Sequence, residues 1–456
     1  MSYKTVDLIN MDRMKPYRIS FLKTGIAAAL IIVCLLSSSA LSQNIQHASD
    51  SLYIDQVIMD VLKNNDRLAA AQYMEQSARA KIGPAGAWDD PMLMVGVTNL
   101  PTSLDFQSDD MTMKMIGLSQ NIPYSGYKGL QAKAAKSDAE ASTAERHSAE
   151  LDLISAAKTA FYDLYYKNLI LNELLRQKDL FGQIVSSTLG KLKTNQAGQE
   201  EYLSAESNLW RVESEILSAR QELDESRYSL NALRGIKGDT ILPPLAGPSI
   251  MEIPDSASVW LAASYEHYPE LRKLQSQSES YSFSAAASRR MAWPMLTLSG
   301  SYGLREGIGM MGPRDNMISI QADISLPFLS GRQQKNMARS MLAMSKSSQA
   351  SANQLRTDID ARIRALHQRA LRLSESRDIY QNKIVPTSEE TFRSAFSGYT
   401  SNLISYTELI NTAISLYRDH ITLDQISNQL AQTMTEVERY IADPAEIDQK
   451  TDNPLK

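Results

Sequence analysis

Leu296-Thr297-Leu298-Ser299-Gly300-Ser301-Tyr302-Gly303-Leu304 alternates apolar and small or polar residues, and Ile318-Ser319-Ile320-Gln321-Ala322-Asp323-Ile324-Ser325-Leu326 does so on the way back. Successive side chains of a β-strand point to opposite faces, so each run reads as a strand with one oily face and one wet face. A run of about ten residues suits a tilted strand that crosses a bilayer. Trp293 stands ahead of the outgoing strand and Phe328 behind the returning one. Aromatic side chains collect at such positions where membrane meets water. A soluble hairpin with one buried face would alternate in the same way. The membrane reading gains its weight because the pattern occurs twice.

The chain repeats itself at a spacing of about 200 residues, the kind of internal copy that decides a fold. Asn65-Asp66-Arg67-Leu68 answers to Tyr268-Pro269-Glu270-Leu271. Pro91 and Pro294 each open a strand-like run behind a tryptophan, Trp88 or Trp293. Ile122-Pro123-Tyr124 answers to Leu326-Pro327-Phe328, with Ser-Gly close behind each. Further on, Gly198, Leu203 and Leu209 match Gly398, Leu403 and Leu409. A proline-rich linker, 241–256, separates a first repeat over 43–240 from a second over 257–445, with a tail over 446–456. The hairpins fall at about 91–123 and 294–327.

The remainder reads as long helix. From Tyr127 to about Leu180 there is no proline, and Gly129 is the only glycine; a helix of that length is roughly 80 Å long. Ile359, Ile363, Leu366, Ala370, Leu373, Tyr380 and Ile384 follow the alternating four-three spacing of a coiled-coil seam, with Arg377 as a polar intruder. Thr194-Asn195-Gln196-Ala197-Gly198 and Ser397-Gly398-Tyr399-Thr400-Ser401 interrupt the helical pattern and read as turns between antiparallel helices. Helices that flank a hairpin enter and leave on one side, which puts these tips far from the bilayer and the loops 99–111 and 304–317 beyond its other face. Four strands cannot close a barrel, and open edges are not tolerated in lipid, so the chain is expected to oligomerise.

Residues 1–42 are expected to be a secretory signal: a basic start, an apolar run from Gly25 to Leu36, and Ala40-Leu41-Ser42 as the cleavage site. Removing them would take the net charge from −5 to about −8. A mildly acidic chain without a basic block argues against a nucleic-acid partner. Cys34, the only cysteine, lies inside the apolar run and lacks the small preceding residue that lipid attachment wants, so it is expected to leave with the signal.

Taken together these features resemble the TolC family of outer-membrane efflux ducts, over essentially the whole mature chain. The resemblance rests on Leu118-Ser119-Gln120-Asn121-Ile122-Pro123-Tyr124-Ser125-Gly126, on Ile324-Ser325-Leu326-Pro327-Phe328, and on Ile384-Val385-Pro386 leading to Ala395-Phe396-Ser397-Gly398. Asp90-Pro91-Met92-Leu93 with Asn99-Leu100-Pro101 looks like the heavy-metal branch, whose members serve copper/silver or cobalt–zinc–cadmium pumps. The resemblance implies a mainly α chain with a membrane β part: four strands per chain completing a twelve-stranded barrel in a homotrimer, and a helical tunnel in the periplasm of a Gram-negative bacterium. It implies partners too: outer-membrane lipid, a periplasmic adaptor protein docked through the tips near Gly198 and Gly398, and an inner-membrane pump of the resistance–nodulation–division type. The cargo expected from the branch is a heavy-metal cation, with drugs or other organic small molecules as the alternative. A periplasmic coiled-coil scaffold or adaptor is the rival of another class.

Catalytic chemistry is not expected. His47, His147, His267, His367 and His420 are isolated, no phosphate-binding glycine loop occurs, and no cofactor is implied. Family members often narrow the tip with aspartates just after the tip glycine; here the stretch Asn402 to Thr407 has no carboxylate, and Glu201, Glu206 and Glu408 are the candidates for an acidic gate. Methionine is the unusual element, with Met111, Met310, Met311 and Met317 also on the hairpins. Carrying the second hairpin's register to the first puts Leu93, Val95 and Val97 on lipid, and Met92, Met94, Met113 and Met115 toward the lumen. Thioethers are soft ligands suited to Cu(I), though methionine also simply fills strand positions.

Overall fold

The computed structural model describes residues 51–123, 126–307, 312, 314–326, 328 and 330–444. The expected signal with Cys34, the residues Tyr124, Met310, Met311 and Pro327, and the tail 446–456 lie outside the described residues. The chain divides into Met1–Leu52 and a body from Tyr53 to Lys456. The body opens with three short helices, α1 (Ile54–Asn64), α2 (Asp66–Ala80) and α3 (Ile82–Gly86). Strands β1 (Met92–Thr98) and β2 (Met113–Ile122) follow, then α4 (Tyr127–Lys193) and α5 (Gln199–Leu233). The same order returns as α6 (Ala257–His267), α7 (Pro269–Arg290), β3 (Met295–Leu304), β4 (Met317–Ser325) and α8 (Ser330–Ile379). A π-helical turn (Tyr380–Ile384), α9 (Val385–Thr400) and α10 (Tyr406–Ile441) complete it.

α4 runs for 67 residues, roughly 100 Å at the helical rise. It continues past Leu180, where Gly182 and Gly190 weaken the local preference for helix, because Phe181, Ile184 and Thr188 are buried against neighbouring helices. Tertiary burial outweighs a glycine cost of about 1 kcal/mol each. In the second repeat the equivalent run is broken. The backbone N–H of Val385 reaches back to Tyr380 O, five residues away, one turn before Pro386. Proline in a helix lacks an N–H and crowds the carbonyl four residues back; a widened turn accommodates both. The extra residue shifts the apolar stripe. Ile359, Ile363, Leu366 and Ala370 are buried, packed with Trp260, Tyr268, Leu271, Leu430 and Met434. Past the π turn the buried position is Val385 rather than Ile384. The expected seam is therefore corrected at its end: it holds through Leu373, which packs against the same core, and loses phase at the bulge.

A second core lies toward the tips, where Phe181 and Ile184 of α4, Val212 and Ile216 of α5, and Leu409 and Ala413 of α10 pack together. α2 is locked to α4 by charge. Arg146 Nε donates to Glu75 Oε2 at 2.6 Å and its Nη1 to Glu150 Oε1 at 2.5 Å, while Thr143 Oγ1 donates to Glu75 Oε1 at 2.9 Å. Burial pushes the Glu75 carboxyl up, but Thr143, Arg79 and Arg146 together hold it below its ordinary value.

The four strands form one antiparallel sheet in the order β1-β2-β3-β4. Its register pairs Leu93 with Leu118, Ile116 with Tyr302, Leu118 with Gly300 and Tyr302 with Ile318. One face is thus aliphatic across both hairpins. The other pairs Ser119 with Ser299, Ser301 with Ser319 and Thr297 with Asp323.

Candidate functional site

Two regions carry the residues singled out from the sequence: the sheet faces and the helical tips. On the sheet, exposure is inverted relative to a water-soluble protein. Val95 is 75% exposed, Ile318 76% and Ile320 85%, while Ser119 on the opposite face is buried. Along β2 and much of β3 the aliphatic residues are the more exposed and the polar ones the more enclosed. Leaving a large aliphatic side chain in water forgoes about 1.5–3 kcal/mol, so six of them cost on the order of 10 kcal/mol. That cost disappears if the medium outside the sheet is itself apolar. Among the described residues the edges β1 and β4 have no partner strand.

Met92, Met94, Met113 and Met115 all fall on the polar face: they stand opposite Ser119, Gly117, Thr98 and Gly96 respectively. Met295 and Met317 share that face through their pairing with Ser325 and Gly303. Thr98 Oγ1 donates to Met115 Sδ at 2.7 Å, and Met113 Sδ lies over Gly303, 2.9 Å from where a Cβ would stand. Trp88 and Trp293 are exposed just ahead of β1 and β3, and Phe328 is exposed just after β4, all at the end of the sheet where the helices attach. At the opposite end charged residues tie the loops together. Lys114 pairs with Glu306, Arg314 with Asp110, and Arg305 donates to the Asp110 carbonyl.

The tips correct the sequence reading. The second turn lies at 401–405, not 397–401: Gly398 is still helical and α9 ends at Thr400. Both long helices stop at an asparagine with positive φ, Asn195 at 59° and Asn402 at 58°. Each stop uses the same pair of backbone bonds. Gln196 N donates to Lys191 O at 2.8 Å and Asn195 N to Leu192 O at 3.0 Å; Leu403 N donates to Gly398 O at 2.8 Å and Asn402 N to Tyr399 O at 3.1 Å. This is a Schellman stop with asparagine where glycine is commoner. Gly198 and Gly398 are therefore not equivalent. Gly198 begins α5, and its counterpart is Ser405, whose hydroxyl caps α10 by accepting from Glu408 N at 3.3 Å. In the same alignment Glu201 corresponds to Glu408, each in the first turn of its helix, and Glu206 corresponds to buried Ala413. Glu206 instead accepts from Tyr202 OH at 3.4 Å. Two of the three candidate gate carboxylates are thus a repeated feature and one is not.

Sequence reasoning missed the residues that join the tips. Lys191 Nζ donates to Asn402 Oδ1 at 2.6 Å and also to the Tyr399 carbonyl, and it sits 3.7 Å from the centroid of the Tyr399 ring. The Tyr399 hydroxyl is 3.3 Å from Thr188 Oγ1. Burial pushes the Tyr399 phenol up from its ordinary value, and the neighbouring Glu201 carboxylate adds to the shift. Farther up the helices Asp424 is pushed up to about 7, first by burial and then by the Glu173 carboxylate, against Arg176. Thr194-Asn195 and Ser401-Asn402 were the legible signal for the stops; nothing in the sequence announced Lys191 or Asp424.

His47 lies outside the described residues, and the described histidines do not gather into a cluster. Buried His367 meets the Pro254 carbonyl at 2.8 Å, His420 lies 3.3 Å from Glu389, and His267 lies 3.7 Å from Asp443. Among the described residues no three His, Cys, Asp or Glu side chains gather as a metal site. Among them, too, no helix is long and apolar enough to cross a membrane.

No protein-family model matches the chain, and no curated protein matches it. Solved structures do. The outer-membrane channel OprN superposes with a TM-score of 0.71 at 15% identity, over 85% of this chain and 89% of that one. CusC, described for its folding and transmembrane channel formation, gives 0.71 at 15%, over 86% and 92%. The CmeC outer-membrane channel of Campylobacter jejuni gives 0.70 at 16%, over 88% and 90%. The fold, long helices carrying a four-stranded antiparallel sheet, is the one those channels have.

Proposed function

We propose that the chain is one third of an outer-membrane duct, the exit component of a tripartite efflux system. The carrying observation is the sheet, with exposed aliphatics on one face, a polar face that is the more enclosed along β2 and β3, and two open edges. A trimer would pair β1 of each copy with β4 of the next, giving twelve strands with no edge in lipid. The aliphatic face then meets the acyl chains and the polar face lines a wet bore. The helices extend into the periplasm, and the tips meet a periplasmic adaptor and a resistance–nodulation–division pump. Leu403, 80% exposed at the second tip, offers the adaptor an apolar handhold beside Arg393 and Glu390. The duct is passive and not an enzyme; the pump supplies the energy. Glu201 and Glu408, repeated in three copies, would form an acidic constriction that admits cations. The cargo proposed is a heavy-metal cation.

Two measurements test this. Membrane fractionation followed by planar-bilayer recording of the purified protein should find it in the outer membrane and show discrete conductance steps; a water-soluble protein without conductance overturns the duct. A strain lacking the gene should lose copper or silver resistance and keep its drug resistance. The reverse pattern assigns organic cargo instead.

A further inference from the structure

Thioether and branched aliphatic side chains are segregated between the two faces of the sheet. On the polar face every apolar side chain is methionine: Met92, Met94, Met113, Met115, Met295 and Met317. The other residues of that face are Gly, Ser, Thr, Asn, Gln and Asp. The aliphatic face, built of Leu, Ile and Val with a few other residues, has no methionine at all. Methionine used merely as apolar filler would be expected on the face that is apolar. Here it is kept to the face that is otherwise hydrophilic.

The register also spaces these side chains along the sheet. Met295 lies at the end nearest the helices, opposite Ser325, and Met92 lies in the row of Ser119, Ser299 and Gln321. Met94 lies in the next row, level with Gly117, Ser301 and Ser319, and Met115 and Met317 share the row beyond, flanking Gly303. Met113 follows, opposite Thr98. Rows two residues apart are about 7 Å apart along a strand. One row lacks a sulfur, and it carries the carboxylate of Asp323 opposite Thr297. Met92, Met94, Met295 and Met317 remain solvent-accessible, between 37% and 55% exposed.

We propose that this face is a thioether ladder for a soft monovalent cation, Cu(I) or Ag(I), running the height of the barrel wall. Neutral thioethers favour soft cations over Zn²⁺ or Mg²⁺. Each rung holds few sulfurs, so binding is weak and labile. Conduction needs that balance, with affinity enough to enter and several similar sites from which to leave. The small residues between the rungs leave the sulfurs uncovered; a Cβ at Gly303 would collide with Met113 Sδ. The ladder rests on the duct reading, since the polar face must line a bore.

The test is a titration of the detergent-purified full-length protein, labelled with ¹³C in its methionine methyl groups, with silver nitrate. Ag(I) should shift the ladder methyl resonances and leave helical Met59, Met337 and Met344 in place. Replacing Met94, Met113, Met115 and Met317 together by leucine, which preserves apolar volume, should lower the silver retained per chain after dialysis severalfold, whereas replacing the exposed helical Met59, Met337 and Met344 by leucine should leave it unchanged; equal losses in the two variants also overturn the ladder. Equal shifts at the helical methionines, or no shifts in the parent protein, overturn the ladder. A parent protein that conducts but ignores silver sinks the ladder and leaves the duct standing; a protein that does not conduct sinks both.

Discussion

Lys191 is the side chain by which the first helical tip grips the second, and Lys191→Met should loosen that grip while keeping most of the side chain's apolar stem. Its ammonium makes two hydrogen bonds, to Asn402 Oδ1 and to the Tyr399 carbonyl, and lies over the Tyr399 ring. A hydrogen bond from a charged group nets about 1.5–3 kcal/mol, and an exposed cation–π contact about 0.5–1. The site is half-buried, the second hydrogen bond shares the same ammonium, and the three contacts are not additive, so about 2 kcal/mol per chain is a fair magnitude. That is roughly a thirtyfold shift in the ratio of joined to parted tips. In a trimer whose tips part together the effect would be compounded. Planar-bilayer recording should show a higher open probability, a larger conductance step, or both. Exposed Lys193, two residues on, makes none of these contacts, and Lys193→Met is the control. If Lys191→Met channels match the parent in open probability and conductance while Lys193→Met channels do too, the contacts do not constrain the bore.

Three further outcomes follow from the same structure. Asp424→Asn should stabilise the protein at alkaline but not at acid pH. The folded-state carboxyl is pushed up to about 7 from an ordinary value near 3.8, so its protonated form favours folding below pH 4, and that benefit is lost as pH rises to 7. The difference should reach about 2 kcal/mol, discounted from the full linkage value because the group keeps some solvent contact, and level off above pH 7 in denaturation followed by circular dichroism; a gain independent of pH would refute the assignment. Arg146→Leu should cost about 3 kcal/mol by leaving Glu75 and Glu150 without their shared partner, read as a lower Tm at pH 7. The gap should narrow on acidification, because Glu75 is held below its ordinary value and its stabilisation is lost as pH falls through that range. Gly117→Val should deplete the detergent-resistant oligomer on gels, since a Cβ there would stand 2.6 Å from Gly300 O and 2.7 Å from Ser301 Cβ, whereas Gly96→Ala has open space and should be tolerated.

Much of the fold was legible because it follows from periodicity. A period of two over Leu296–Leu304 and Ile318–Leu326 is enforced by the strand itself, and the pairing of Tyr302 with Ile318 and Leu298 with Ala322 repeats it across the hairpin. The helix ends were less legible, and the physical reason is specific. Glycine is the commonest residue where a helix turns left-handed at its end, because it enters that region at no steric cost. The chain uses Asn195 and Asn402 instead, the other residue type that visits it readily. Anchoring the two copies on Gly198 and Gly398 displaced the second turn by four residues and hid the equivalence of Glu201 with Glu408. The seam failed for a comparable reason: a heptad assumes a uniform helix, and the π turn ahead of Pro386 adds a residue that no apolar pattern counts.

What the sequence could not hold was any contact between the repeats. Lys191 meets Tyr399 and Asn402 across a separation of more than 200 residues, and Asp424 acquires its character from Glu173 on another helix. Neither follows from local composition. The sheet is the opposite case. Which face a strand residue occupies is fixed by parity, and parity survives copying from one hairpin to the other so long as the register contains no bulge. The pairing of β1 with β2 and of β2 with β3 runs residue for residue without a break. Four methionines of the first hairpin and two of the second therefore fall on one face as a consequence of odd and even numbering alone. A single-residue insertion in β2 would have turned Met113 and Met115 toward the aliphatic side and left the polar face with no continuous line of sulfur.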